Sequence, residues 1–452
     1  MDTIIALATP FGRSGIGVIR LSGDIALGIS QKLTGDDDFD PVPRYATLTK
    51  IRDTDGGDII DEAIVTYFQA PHSYTGEDVV EISCHGSPVL LRRIIDICLH
   101  LDARMAEPGE FTLRALANGR LDLSQAEAIR DLIDANSIAM TRQAIRQLRG
   151  EFSHQLQPLK DRLLDVIVVL ESALEFVEDD LPDTQAENIK AELENVALEL
   201  GKLASTFKAG KLLREGLKVA LVGRPNVGKS SIFNALLGQD RAIVTEIPGT
   251  TRDQIHESFT IRDIPVSLID TAGMRETIDT VESMGVERAK RAMADADVVV
   301  VVLDGSETLS AEDEEVISET IDMNRIIAVN KIDLNSANGS QAGDLVENAR
   351  VVKVSAKTGE GLDELQEAIV APFSPGDLES AGILVSDARH FDLLSRARME
   401  IVDSLPLIEE NVSEEIILVG LHNAIRYLGE ITGETTTEDM LTRIFQTFCI
   451  GK

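Results

Sequence analysis

Apolar and polar positions along this chain follow two different periods, and the places where the period changes divide it. In residues 1–118 the apolar runs are short: Thr3 to Ala8, Ile16 to Leu21, Ala63 to Phe68 and Val79 to Cys84. Glycine, proline and aspartate clusters separate them, so they read as strands. Pro88 to Leu101 shifts to helical spacing, with Leu91, Ile94, Ile95 and Cys98 on one face. A small α+β domain is expected here, with an early turn at Gly12-Arg13-Ser14-Gly15. From 119 to 210 the helical period dominates, in amphipathic segments at 124–149, 158–178 and 187–207. Ser124 and Glu127 have capping-box spacing, and Asp122 is an equal candidate for the cap. The acidic stretch 175–187, which carries Pro182, reads as a loop between helices, and the basic stretch 208–216 as a linker.

Residues 211–375 alternate between strand and helix. The strands are Val219–Val222, Val266–Ile269, Val298–Leu303, Ile326–Val329 and Val351–Val354. That alternation predicts a mostly parallel sheet with helices on both faces. Helical spacing returns in 376–452, at 386–405, at 413–431 (Ile417, Leu421, Ala424, Leu428 and Ile431 aligned) and at 437–448. Neither helical stretch can bury its apolar faces alone. The expectation is one discontinuous helical domain, 119–210 with 376–452, into which the α/β domain is inserted.

Composition changes this picture in three ways. At 452 residues the chain has room for about three domains. With only 4% aromatic residues and no Trp, its cores must be aliphatic. The longest apolar run, Val298 to Leu303, is far too short to span a membrane. The first residues lack a signal-peptide pattern, and the three scattered cysteines, Cys84, Cys98 and Cys449, have no metal-ligand spacing. A cytoplasmic location with no membrane association is expected. The net charge of -34 repels nucleic-acid backbones at long range, so any RNA partner must meet a local basic patch or be brought by another protein.

Candidate chemistry centres on Gly223 to Ser230, which reads G-R-P-N-V-G-K-S between a strand and a helix that opens with Ser231. Its glycines let backbone N–H groups turn around a phosphate, and the helix N-terminus adds its positive dipole end. Lys229 is placed to reach the β- and γ-phosphates, and Ser230 to ligate Mg²⁺. A plain glycine-rich turn is the bland alternative. Four further stretches fall where guanine-nucleotide chemistry needs them. Asp270-Thr271-Ala272-Gly273 follows a strand and suits water-mediated Mg²⁺ binding and γ-phosphate sensing. Asn330-Lys331-Ile332-Asp333 supplies a carboxylate for guanine N1 and N2, which adenine cannot satisfy. Ser355-Ala356-Lys357 closes the base pocket, and Gly249 to Asp253 brings the Thr251 hydroxyl to Mg²⁺. Each has a loop reading when taken alone; in this order they define a Ras-like P-loop nucleotide domain. One departure stands out: Met274 follows Gly273, where a Gln would orient the attacking water.

The order of these motifs, the Gly249–Asp253 form and the ending Phe448-Cys449-Ile450-Gly451-Lys452 resemble the MnmE (TrmE) family of bacterial tRNA-modification GTPases. So do Gly76-Glu77-Asp78 with His85-Gly86, Pro108-Gly109-Glu110-Phe111, and the run from Asn118 to Ala128. The resemblance runs end to end. It implies a homodimer whose N-terminal domain is folate-binding-like and drives dimerisation. It also implies a GTPase in which a potassium ion, held by Asn226, Thr245, Ile247 and Thr250, stands in for an arginine finger. GTP or GDP would contact Asn226, Val227, Gly228, Lys229, Ser230 and Ser231, the stretch Thr245, Glu246, Ile247, Pro248, Gly249, Thr250 and Thr251, and the Asp270, Asn330 and Ser355 motifs. Glu282 matches the family's catalytic glutamate, which orients the water through a second water; by itself it reads as a solvated helix residue.

The family's contacts to 5-formyl- or 5,10-methylene-tetrahydrofolate map onto Arg20, Glu81, Arg120 and Lys452. Arg20 and Glu81 on adjacent strands could instead form a plain ion pair. Cys449 reads either as a nucleophile toward uracil C6 or as a quiet thiol beside the folate site, the second being preferred. His85 stays open between turn and site residue. The partners implied are MnmG and tRNA, with a (carboxymethyl)aminomethyl group added at C5 of the wobble uridine. The competing reading is a ribosome-assembly GTPase switch. The acidic composition and the folate-like N-terminal domain speak against it.

Overall fold

The computed structural model describes residues 2–54, 56–175, 183–239, 256–269, 293–334, 349–371, 382–410, 412–435 and 437–451. They fall into two compact units. One comprises Met1–Ile133, Ile145–Val196 and Met399–Lys452; the other, Asp134–Ala144 and Ala197–Arg398.

The first unit opens with a six-stranded sheet of β1 (Thr3–Leu7), β2 (Ile16–Ser22), β3 (Thr47–Arg52), β4 (Ile59–Phe68), β5 (Val79–His85) and β6 (Ala103–Met105), in the order β3-β4-β5-β2-β1-β6. All neighbours are antiparallel except β1 and β6. One face packs Ile5, Ile19, Val65 and Ile82 against helices α1 (Ala26–Thr34) and α2 (Pro88–His100). The residues that alternate with these, Arg20 and Glu81 among them, point the other way, where Ile4 and Ala6 meet Phe111 of α3 (Glu110–Ala117). The expected face of α2 holds for Leu91, Ile94 and Cys98, with Ile97 buried and Ile95 only half-buried. Strands β3 and β6 and helices α1 and α3 carry no clear sequence signal: β3 buries only Ile51, and β6 has three residues.

The helical segments differ from expectation at their ends. The stretch 124–149 is two helices, α4 (Leu123–Ile133) and α5 (Ile138–Leu148), because the Ser137 hydroxyl accepts from Met140 N and restarts the helix. Asp122, not Ser124, caps α4: it accepts from Gln125 N at 2.8 Å while its own N–H donates to the Gln125 side chain at 2.9 Å. The Ser124 hydroxyl is buried and unpaired. Helix α6 (Glu151–Glu175) starts well before Pro158, which it absorbs. Phe152, Leu156, Leu159 and Leu163 form one buried stripe through the proline, and that burial outweighs a missing hydrogen bond. Helix α7 (Asp183–Ser205) takes up part of the expected acidic loop, and the expected basic linker is helix α8 (Phe207–Glu215).

The second unit holds β7 (Leu217–Val222), α9 (Lys229–Gln239), β8 (His256–Ile261), β9 (Ile264–Ile269), β10 (Val298–Asp304), α10 (Ala311–Glu319), β11 (Arg325–Asn330), β12 (Arg350–Lys353) and α11 (Leu362–Val370). The sheet order is β12-β11-β10-β7-β9-β8, parallel except for the β8/β9 hairpin. Val298, Val300 and Val302 enter one core, and Val299, Val301 and Leu303 the other. A strand buried on both faces must be apolar throughout, which is why this sheet shows so plainly in the sequence.

Helix α12 (Ala388–Glu409) follows, then α13 (Glu414–Thr432) and α14 (Glu438–Phe445). Within the first unit α13 packs on α6 and α4, burying Ile417, Leu421, Ala424, Leu428 and Ile431. Within this unit, helices from the two helical stretches thus cover each other's apolar faces.

Candidate functional site

Strand β7 lies mid-sheet, with β9 and β8 on one side and β10, β11 and β12 on the other. The connections diverge at its carboxyl end, the place where open parallel sheets bind ligands. The 223–228 loop sits there and runs into the N-terminus of α9 at Lys229.

Only glycine fits two of the loop positions. Gly223 has φ +147°, and a Cβ on it would come within 2.4 Å of Val302 O. Gly228 has φ +98°, and its Cβ would come within 2.2 Å of Asn330 Nδ2. Asn226 is also left-handed, at φ 64°. Val227 is buried and anchors the loop. Lys229 Nζ donates to Gly223 O and Arg224 O, both at 2.8 Å, so its ammonium lies folded over the cradle. Ser230 and Ser231 are exposed in the first turn of α9. A glycine-bound loop, a cation and a helix N-terminus at one point make a fit for a polyphosphate.

Beside the cradle, Asn330 is buried at the end of β11. It ties two loops together, donating to Val227 O at 2.9 Å and accepting from Ala356 N at 3.1 Å. Lys331 Nζ donates to Asn226 O at 2.8 Å and pairs with Asp304 at 2.6 Å. Asp333 accepts from the buried Ser355 hydroxyl at 2.7 Å, and Ser355 in turn accepts from Thr358 N. The structure therefore brings Asn226 to Ser231, Asn330, Lys331, Asp333, Ser355, Ala356 and the exposed Lys357 to one end of one sheet. Thr245, Glu246, Ile247, Pro248, Gly249, Thr250, Thr251, Asp270, Thr271, Ala272, Gly273 and Glu282 lie outside the described residues.

Sequence reasoning missed two supports. Burial would raise the Asp304 carboxyl, yet the hydrogen bonds from Lys331 and Ser306 outweigh it and hold the group below its ordinary value. Its position at the end of the apolar β10 run was a usable signal. Arg224 pairs with Glu307 at 2.5 Å and with the buried Asp313 at 3.1 Å, bracing the cradle against α10. No spacing rule points to that.

In the first unit Arg20 and Glu81 face each other across β2 and β5 and pair at 2.7 Å, as the plain reading had it. The surroundings are less plain. The Arg20 guanidinium lies 5.5 Å from the Tyr74 ring centroid and 5.7 Å from that of Phe111, and donates to Gly451 O at 3.3 Å. Gly451 has φ +98°, and a Cβ on it would press on Leu7 O, so the chain end is seated closely there. Arg120 is exposed, with its stem beside Gly76, and Lys452 lies outside the described residues. A cation, a carboxylate and aromatic rings together suit a flat heterocycle with amide donors and a carboxylate tail. Cys449 is exposed rather than packed; its carbonyl accepts from Gly109 N. His85 ends β5, and its ring and backbone N–H both hydrogen-bond to Asp61.

The sequence as a whole resembles known proteins. Residues 3–120 match the family described as GTP-binding protein TrmE N-terminus, and residues 123–449 the MnmE helical domain. The tRNA modification GTPase MnmE of Aquifex aeolicus (strain VF5) is 44% identical over 454 residues, covering 100% of both chains. The protein of the same name from Koribacter versatilis (strain Ellin345) is 45% identical over 460 residues, covering 100% of this chain and 99% of that one. Among solved structures, the G domain of the T. maritima FeoB iron transporter is 31% identical and covers 34% of this chain and 97% of that one, with a TM-score of 0.25.

Proposed function

The chain belongs to the MnmE family, and from that premise we propose that it hydrolyses GTP to GDP in the service of tRNA modification. The observation that carries the reading is the glycine cradle at 223–228 joined through Asn330 to the Asp333–Ser355 pocket. It offers a polyphosphate site and a guanine-selective carboxylate on one frame, in a chain whose full-length relatives bear the name tRNA modification GTPase.

Within this reading Lys229 leaves its loop carbonyls for the β- and γ-phosphates, and Asp333 accepts from guanine N1 and N2. Ser230 and Thr251 would hold Mg²⁺, and Asn226, Thr245, Ile247 and Thr250 would hold K⁺. When bound, these cations neutralise charge that builds on the transferring phosphoryl group. Glu282 orients the attacking water, the task that Met274 cannot perform. Asp270 to Gly273 sense the γ-phosphate.

Arg20, Glu81, Arg120 and Lys452 bind the tetrahydrofolate that supplies a one-carbon unit. The protein works as a cytoplasmic homodimer with MnmG, and the product is a (carboxymethyl)aminomethyl group on C5 of the wobble uridine. The organisation proposed is 1–118 for folate and dimerisation, 119–210 with 376–452 as the helical domain, and 211–375 for GTP. The experiment is nucleoside mass spectrometry of bulk tRNA from a strain lacking the gene. Loss of C5-aminomethyl-type uridines, restored by the intact gene but not by Asp270→Ala, is expected. Unchanged uridines alongside abnormal ribosomal particles would instead support an assembly switch.

A further inference from the structure

The two arginines read as folate contacts come from different elements, yet both lean on one turn, residues 73–77. Arg20 lies over the ring of Tyr74. Gly76 has φ +83°, and a Cβ on it would meet Asn118 Cβ at 3.1 Å and Arg120 Cγ at 3.4 Å, so the stem of Arg120 rests against it. Asn118 Nδ2 also donates to Thr75 O at 2.7 Å. The turn is internally bonded: Ser73 Oγ donates to Glu77 O and accepts from Gly76 N.

Two contacts fasten this turn to α3. The hydroxyls of Tyr74 and Thr112 are 2.8 Å apart. The second contact is Arg114, whose side chain is 9% exposed. Its Nη1 donates to both Glu77 oxygens, at 3.2 and 3.1 Å, and to Asp2 O at 2.8 Å. Its Nη2 donates to Asp2 Oδ1 at 2.8 Å and Glu110 Oε1 at 2.9 Å. Glu77 Oε2 accepts in addition from Ser22 Oγ, two residues beyond Arg20 on β2. One buried guanidinium therefore closes a circuit through the chain start, the strand that bears Arg20, the turn and α3. Its fork geometry is what the circuit needs, since an ammonium cannot serve these directions at once.

We propose that Arg114 is a positioning residue for the second candidate site: by pinning Glu77 it fixes the 73–77 turn, and through the turn the headings of both Arg20 and Arg120 toward one ligand. The inference rests on the folate reading. Arg114 itself is buried beneath the turn and touches no ligand. Its substitution acts only through the two arginines that do.

The test is calorimetric titration of the full-length protein with 5-formyltetrahydrofolate, GTP affinity being measured in parallel as a check that the second unit is intact. Arg114→Lys should weaken folate binding roughly tenfold, the scale of one lost charge-assisted contact. Glu77→Gln cuts the same link from the other side and should weaken it in the same direction, which keeps the test alive should Arg114→Lys fold poorly. Arg20→Gln supplies the discriminating comparison. Combined with Arg114→Lys it should cost less than the product of the two single losses, because one change acts through the other. Wild-type affinity in both Arg114→Lys and Glu77→Gln, or strictly multiplicative losses in the double variant, would overturn the proposal while Arg20→Gln still upholds the folate site. Absence of folate binding by the wild type would overturn the reading beneath it.

Discussion

The two six-stranded sheets of this chain carry their candidate sites in opposite ways. In the parallel sheet both faces are buried, so chemistry is pushed to the loops at the strand ends, and those loops are built largely from backbone. In the mostly antiparallel N-terminal sheet the helices α1 and α2 cover one face, and Arg20 and Glu81 stand mid-strand on the other. A backbone site must be written in glycines and fixed spacings. A face site needs only two charged residues in otherwise ordinary alternating strands, and its support arrives from distant parts of the chain.

The largest effect should come from adding one methyl to the backbone site. Gly228→Ala meets both a left-handed φ and Asn330 Nδ2, so GTP affinity should fall roughly a hundredfold or more, read by titration of a fluorescent GTP analogue. Folate binding should not change; a parallel loss there would contradict the assignment of one ligand to each sheet. Replacing potassium by sodium should slow GTP turnover by roughly ten- to a hundredfold, since a misfitted ion leaves transition-state charge uncompensated. Equal rates in phosphate-release assays would remove the ion from the account.

Arg20→Ala should weaken 5-formyltetrahydrofolate binding about tenfold and leave GTP affinity alone. If it moved GTP instead, the assignment of ligands to sheets would be reversed. The smallest effect is a control away from both sites. Asp387 caps α12, accepting from Arg389 N, and pairs with Arg214 of α8 at 2.5 Å. Burial would raise its carboxyl, but the nearby His390 and the Arg214 hydrogen bond outweigh it and hold the group far below its ordinary value of 3.8. A depressed carboxyl stabilises the fold above its ordinary value, and that stabilisation is lost as the pH falls below it toward the depressed one. Asp387→Asn keeps the cap and should cost about 1 kcal/mol in urea denaturation at neutral pH. The difference from wild type should shrink on acidification below the ordinary value.

Legibility in the sequence follows the same division. Val298 to Leu303 could hardly be anything but a two-sided strand, and the central strands sit where the apolar runs place them. The edge strand β8 escaped because its hairpin turns on Arg262 and Asp263, both with positive φ, where glycine or asparagine would have given the signal. Helix ends were blurred for a different reason: Asp134-Ala135-Asn136-Ser137 interrupts the apolar spacing for about one turn only, and the stripe of α6 runs on through Pro158, so the apolar pattern alone places neither restart. The phosphate cradle was legible because its glycines are required by geometry. The Arg114 circuit was not: Glu110 and Arg114 stand four apart on α3, but Asp2, Ser22 and Glu77 share no spacing with them and join them only when the sheet closes.

The central claim is that the loops of the parallel sheet form a guanine-selective site whose selectivity is written in one carboxylate. The direct measurement is calorimetric binding of GTP, ATP and xanthosine triphosphate to the wild type and to Asp333→Asn. The wild type should take GTP and refuse ATP, and the variant should lose GTP by roughly a hundredfold while gaining the xanthine nucleotide, whose exchanged donor and acceptor match an amide. Comparable affinity for ATP in the wild type, or undiminished GTP binding by Asp333→Asn, would contradict it.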